Sequence, residues 1–160
     1  MAIMCVAAAN RLVELTNQYN SGKPYSERIS MTCKRLQKLL YFSEAEYMKR
    51  HNGKAMFTED FFAWPSGPVI PSVYSKFAQF QNGEMAIVAG EHTPLTIEMI
   101  DVLDYIFNTT TTIDTLDLVE KSHVKDGPWS LVYDANDPKH MQVVDKSSIY
   151  EYYNTRNVFA

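Results

Sequence analysis

The segment that most constrains the fold is an amphipathic stretch that begins near residue 32. Its leucines and aromatics recur at helical spacing, and one face carries Leu36, Leu39, Leu40, Ser43 and Tyr47. Ser30 or Thr32 can cap its start, because a side-chain oxygen at that position accepts a free backbone N–H. His51-Asn52-Gly53 would end it. We expect a central helix with its leucines buried against Trp64 and Tyr74.

A segment rich in aromatics, proline and glycine follows this helix. Short aromatic runs at 56–58 and 61–64 lack helical spacing and predict one or two extended strands. Pro65, Pro68 and Pro71 fix φ and favour extended backbone before them, while Gly67 permits a positive φ. We therefore expect a fixed turn, followed by a helix with Pro71 in its first turn.

The remaining sequence predicts further helices joined by short turns. Helical spacing of apolar residues occurs near 6–15, 70–81, 97–107, 113–123 and 147–153. Gly127-Pro128-Trp129 would start a short additional helix, and Ile87-Val88 favours a small strand. The expected fold is mainly α (α+β), a compact bundle of about six to seven helices with a two- or three-strand element near residues 55–70 and 86–89. We expect residues 1–160 to form one domain.

Composition narrows the class of protein. The formal net charge is −4, which argues against nucleic acid as the main partner and against a wide basic face. No apolar run approaches the length that spans a bilayer, and the apolar residues 1–9 lack the basic region of a signal peptide. Cys5 and Cys33 are the only cysteines and lack metal-binding spacing. Reduced thiols in the cytoplasm are the expectation.

The sequence contains no familiar catalytic or metal-binding motif. Its histidines lie far apart and none stands at zinc-ligand spacing: His51, His92, His123 and His140. There is no nucleophile elbow, phosphate loop or dinucleotide fingerprint. We therefore expect no catalytic residues, no metal and no cofactor. His123 is the one histidine to single out, either as an acid–base group or ligand, or as a capping or partly buried residue packed near Trp129.

Charge is distributed unevenly along the chain. The long helix and its exit are basic, and they carry Lys34, Arg35, Lys38, Lys49, Arg50 and Lys54. Residues 77–120 contain acids but neither lysine nor arginine. This pattern indicates either a two-signed surface that steers a charged partner, or solvated helix faces that compensate each other in the fold. The candidate partner-binding residues are Lys34, Arg35, Lys38, Asp101 and Asp104.

Three short motifs, taken in order, resemble the Panacea domain of SocA-like and GepA-like phage-associated antitoxins. The helix carries LQKLLYF at 36–42, the turn carries AW..GPV.P.VY at 63–74, and Ser122-His123 precedes Gly127-Pro128-Trp129. The residues that carry the resemblance are Leu36, Gln37, Lys38, Leu39, Tyr41, Trp64, Gly67, Pro68, Val69, Pro71, Tyr74, His123, Pro128 and Trp129. The resemblance runs from about residue 6 to residue 153. These residues are expected to be mainly structural.

The resemblance implies a non-enzymatic antitoxin that binds a cognate protein toxin and blocks it by direct contact. The SocA-like branch implies an adaptor that hands the toxin to an AAA+ protease. A membrane is not an expected partner. Two other functions stay open from the residues alone. One is an enzyme with an unfamiliar site that joins His123 to Asp114 or Asp117, and the other is a nucleic-acid-binding regulator that uses the basic second helix.

Overall fold

The computed structural model describes residues 1–80, 85–88 and 93–160. The helices in this part of the chain are α1 (Val6–Asn20), α2 (Cys33–Arg50), α3 (Pro71–Phe77), α4 (Ile97–Thr110), α5 (Thr115–Ser122), α6 (Pro128–Val132) and α7 (Lys146–Tyr153), with a 3₁₀ turn at Tyr25–Glu27. The strands are β1 (Phe61–Trp64), β2 (Gly67–Val69) and β3 (Val143–Val144). The predicted fold class, mainly α with a small β element, is confirmed. None of the described helices is both long enough and apolar enough to cross a membrane.

Helix α2 lies at the centre of the molecule. It starts as expected, because the Thr32 hydroxyl accepts the Arg35 backbone N–H at 3.1 Å. It packs against α1, α3, α4, α5, α7 and β2, and every residue from 35 to 48 is buried. The central position and the buried leucines agree with the prediction. Tyr74 is different: it is 36% exposed and meets the Trp64 ring at 5.2 Å, because α3 turns Val73 and Phe77 inward instead.

The sheet is antiparallel, with the strand order β2-β1-β3. Its hairpin forms where the sequence predicts it, and Trp64 pairs with Gly67 across the turn. The strand expected at 86–89 is wrong for residues 86–88, and residue 89 lies outside the described residues. Val88 instead donates its N–H to the Asn10 side chain at 2.8 Å and accepts from it at 2.9 Å. The backbone of Val88 is thus paired with a side-chain amide on α1 and not with a strand. The third strand of the sheet is β3, which pairs with β1.

A buried ion pair fastens α7 to α2. Glu44 is fully buried and pairs with Lys146 at 2.9 Å, while its other oxygen accepts the Met56 backbone N–H at 2.7 Å. Lys146 also donates to the Phe57 carbonyl. Burial raises the pKa of Glu44, and the Lys146 charge opposes that shift. The C-terminal helix therefore docks on α2 through charge as well as apolar packing.

Candidate functional site

The three motifs converge around Gly67, at the start of β2. Gly67 has a φ of +115°, and a Cβ placed there would lie 2.7 Å from Lys38 Cε, 2.7 Å from Ser122 Oγ and 3.2 Å from His123 Nε2. The glycine thus removes a side chain where α2, β2 and the end of α5 meet. We call Lys38, Gly67, Ser122, His123 and Trp129 the motif cluster. Residues that are far apart in the sequence thus come into contact there, and the three motifs form one structural unit.

Side chains of the first motif form hydrogen bonds with backbone groups of the second motif. The Ile70 N–H donates to Gln37 Oε1 at 2.9 Å, and Gln37 Nε2 approaches the Ile70 carbonyl at 3.5 Å. The next residue of α2 is Lys38, and its Nζ donates to the Pro68 carbonyl at 3.1 Å. Polar side chains of α2 therefore bind backbone groups at the end of β2, on the side where the described residues provide no further strand. Pro71 then begins α3 in the first helical turn, as predicted.

Lys38 is an interior amine, with 0% of its surface exposed. Burial, and secondarily the charge of Lys34, lowers the pKa of Lys38 to about 7. Within the described part of the chain, no carboxylate forms an ion pair with it. Its aliphatic chain packs against Gly67, and its nitrogen donates a hydrogen bond to the Pro68 carbonyl. The residue supports a turn and does not present a surface charge.

The third motif closes the cluster by stacking. The His123 and Trp129 rings lie parallel, with centroids 3.9 Å apart and planes at 5°, and Trp129 Nε1 donates to the Trp64 carbonyl at 2.8 Å. Burial and then the Lys38 charge lower the pKa of His123; a Ser66 backbone contact opposes the shift. Among the described residues, His123 Nε2 is buried without a hydrogen-bond partner. Of the two alternatives for His123, the packed histidine is the observed arrangement.

Two polar side chains of the cluster are engaged inside the fold. Ser122 is buried and its hydroxyl donates to the Val119 carbonyl at 2.7 Å, while Lys38 is closed off from solvent. In the described residues, His123 forms no hydrogen bond or ion pair with Asp114 or Asp117. The pairing required by the enzyme alternative is therefore not assembled.

Two of the candidate partner-binding residues lie inside the protein, which corrects their assignment to a surface. Lys38 is enclosed as described, and Arg35 is only 4% exposed. Arg35 donates to the Thr110 and Ile113 carbonyls, each at 2.8 Å, and to Thr115 Oγ1 at 3.3 Å. It thereby satisfies carbonyls at the end of α4 and leads the chain into α5. Burial lowers the pKa of Arg35, and the charge of Asp114 opposes that shift.

The other three candidates remain at the surface, in different states. Lys34 and Asp101 are exposed and form no ion pair in the described part of the chain. Asp104 is partly exposed, and Arg11 binds both of its oxygens at 2.9 and 3.0 Å. This pair fastens α1 to α4, so Asp104 is largely neutralised. Lys34 and Asp101 are the free charges of the set.

The basic stretch of α2 does not form a continuous basic face. Besides the two buried residues, Lys49 donates to the Arg156 carbonyl at 2.7 Å, and Arg50 pairs with Glu46 at 2.7 Å. Lys34 and Lys54 are exposed and without an ion pair among the described residues. The alternative that uses this helix for nucleic acid thus loses Arg35 and Lys38 as surface cations, and Arg50 is paired with Glu46.

The remaining motif residues are mostly core. Leu36, Leu39 and Val69 are buried, and Tyr41 packs edge-on against Phe61 at 5.5 Å. Pro128 begins α6, as predicted from the Gly-Pro pair. His92 lies outside the described residues.

Sequence reasoning missed an extension of the aromatic stack. Tyr133 stacks on Trp129 at 4.4 Å, and His140 lies parallel to Tyr133 at 6.2 Å. The i,i+4 spacing of Trp129 and Tyr133 was the available signal, because residues at that spacing are neighbours on a helix surface.

One comparison with known proteins gives a match. The model of a family described as antitoxin SocA-like, Panacea domain, matches residues 36–130, which include all three motifs. No curated protein and no solved structure matches the chain significantly. The match covers more than half of the chain and contains the motif cluster.

Proposed function

The chain belongs to the family of SocA-like antitoxins with a Panacea domain, and from this premise we propose that it neutralises a protein toxin by binding it directly. The observation that carries the proposal is the buried motif cluster. The residues that mark the family build a closely packed junction of α2, β1, β2, α5 and α6 and leave the outer helix faces for recognition. Binding proteins use such scaffolds to hold a surface in one shape.

Support for binding over catalysis comes from the titratable groups of the cluster. Lys38 and Ser122 are enclosed, and His123 is stacked on an indole, so none of them is arranged to exchange a proton with a substrate. The uneven charge along the sequence supports recognition of a charged protein surface. Lys34 and Asp101 are the candidate residues that remain free to contribute to it.

We propose that the functional unit includes the segments that flank the matched residues. Helix α1 packs against α2 and α4, and α7 docks on α2 through the Glu44–Lys146 pair. These contacts support residues 1–160 as one Panacea-like domain, and we further propose that it acts in the cytoplasm. Removing either flanking helix would expose apolar surface of α2.

The direct test is growth rescue. The gene that flanks the one for this chain is expressed alone, then together with this chain, and the two proteins are co-purified. Rescue with a stable complex is the expected result. If the product of the flanking gene is not toxic and no complex is recovered, the proposal is refuted. The enzyme alternative would then move ahead of it.

A finer proposal is that the protein delivers the toxin to an AAA+ protease. In that case the toxin's half-life in cells falls when this protein is present, and deleting the protease restores the toxin level but removes rescue. An unchanged toxin half-life together with full rescue would show neutralisation by contact alone.

A further inference from the structure

An open cavity lies beside α5. Its volume is about 470 Å³, and its apolar walls are Ile113, Val124 and Phe159. Asp117 and Glu120 stand at the same cavity, both exposed. The lining therefore combines an apolar wall with two carboxylates on one helix.

The lysine of this cavity forms no ion pair with its acids. Lys121 stands four residues after Asp117, the spacing at which a helix normally forms an ion pair. Its ammonium instead donates to the Phe159 carbonyl at 2.7 Å. Asp117 and Glu120 form no ion pair with any described residue. Two unpaired carboxylates are thus left facing solvent at an apolar hollow.

We propose that this cavity receives an arginine or lysine side chain of the toxin. A basic side chain has both required parts, an aliphatic stem that packs on an apolar wall and a charged head that binds carboxylates. The inference rests on the proposed function, since it supplies the place where the partner would dock.

Charge selects this occupant over the others. The lining carries the two carboxylates against the single ammonium of Lys121, and this excess of negative charge would repel phosphate groups of nucleic acid and anionic lipid headgroups. A second copy of this chain carries the same net charge of −4, which disfavours self-association through this face. A basic side chain on a protein partner is the occupant that the acids attract.

The first experiment needs no toxin. The ¹³C-labelled methyl groups of Ile113 and Val124 are followed by NMR during titration with N-acetyl-arginine methylamide, and in parallel with the uncharged citrulline analogue. The arginine probe is expected to shift both methyl signals, with a Kd of about millimolar size for a single side chain, and the citrulline probe to shift them much less. Equal shifts with both probes, or none with either, would overturn the proposal.

The acids are tested with the double variant Asp117→Asn and Glu120→Gln. It should weaken binding of the arginine probe at least about fivefold, because each carboxylate contributes a charge-assisted hydrogen bond. The matched control is Glu14→Gln with Glu27→Gln, which changes net charge equally at exposed sites on other elements. The control should bind the probe as wild type does. Equal losses in both variants would reduce the effect to net charge and refute a specific site.

The second experiment measures affinity for the toxin itself. The double variant should weaken the complex about tenfold or more, while the control stays within about twofold. Probe binding that depends on the acids, with unchanged toxin affinity, would refute the toxin as occupant. If the wild-type protein binds no toxin at all, the proposed function is refuted. The proposal that a toxin side chain occupies the cavity is then refuted as well. The probe titration still decides whether the cavity takes a basic side chain.

Discussion

Gln37 and Ile70 are joined as two neighbouring strands would be. The Ile70 N–H donates to the side-chain carbonyl of Gln37 at 2.9 Å, and the Gln37 amide nitrogen stands 3.5 Å from the Ile70 carbonyl. Both groups are buried, so water cannot replace the partner if the glutamine is lost. A helix residue thereby terminates the sheet edge and positions the first turn of α3.

The Gln37→Met variant should destabilise the protein by about 1–3 kcal/mol. Methionine has a similar length but leaves the Ile70 N–H unpaired in the interior, while the Ile70 carbonyl still accepts the Val73 and Tyr74 N–H groups. Urea unfolding followed by circular dichroism measures the change. Gln18→Met, at an exposed position of α1, is the control and should stay within about 0.5 kcal/mol. Equal stability of the two variants would contradict this role of Gln37.

Replacing Gly67 should cost more than its backbone angle alone explains. Gly67 and Gly22 both have positive φ, +115° and +78°, but a Cβ at Gly22 meets nothing within 4 Å. Gly22→Ala therefore measures the strain of a positive φ in open space, about 1–2 kcal/mol. Gly67→Ala adds a less favourable φ and the collision with Lys38 and Ser122, together about 1–3 kcal/mol more. Thermal unfolding of both variants compares them, and similar losses would argue against close packing at Gly67.

The Lys38→Met variant should reveal the buried amine through pH. The pKa of Lys38 is about 7 in the folded protein against an ordinary value of 10.5, so the unfolded chain binds the extra proton between these values. The stability of wild type relative to the variant should therefore rise with pH from about 7 to about 10, by at most about 1.4 kcal/mol per pH unit. Urea unfolding across this range measures the difference, and a flat difference would mean that Lys38 stays protonated in the folded protein.

Leu39→Ala should lower the free energy of unfolding by about 2–5 kcal/mol. Leu39 is 1% exposed on the central helix, and its loss leaves a cavity among its neighbours. Leu116→Ala is the matched control, because Leu116 is 69% exposed and should change stability by less than about 0.5 kcal/mol. A loss below about 1 kcal/mol at Leu39 would show that α2 is not the central element of the core.

Charge reversal at the free candidates should slow toxin association. Lys34→Glu and Asp101→Lys alter exposed charges, so they should change the association rate more than the dissociation rate, and added salt should shrink the effect. Stopped-flow or biosensor kinetics at two salt concentrations measure this, with Glu14→Lys as the control. Wild-type rates in both variants would remove these residues from the interface. Reversal at Arg35 is no test of binding, because that side chain is buried.

The elements found from sequence are those set by short-range interactions. Helix spacing and the Thr32 hydroxyl located α2, and proline and glycine located the hairpin and the starts of α3 and α6. These signals work because capping bonds and φ restrictions act between residues a few positions apart. The three motifs were also sufficient to indicate the family.

The sequence by itself thus determined the helices, the tight turn and the family, because local backbone preferences and the order of motifs are written in neighbouring residues. The tertiary structure alone decided that Arg35 and Lys38 lie inside, since α2 is covered on all sides and helical spacing marks only its most apolar face. It also decided that Val143–Val144 pairs with β1 and that Asn10 serves Val88. Such pairings depend on which segments, distant in sequence, the packed helices bring together. A local sequence pattern carries no information about these long-range contacts.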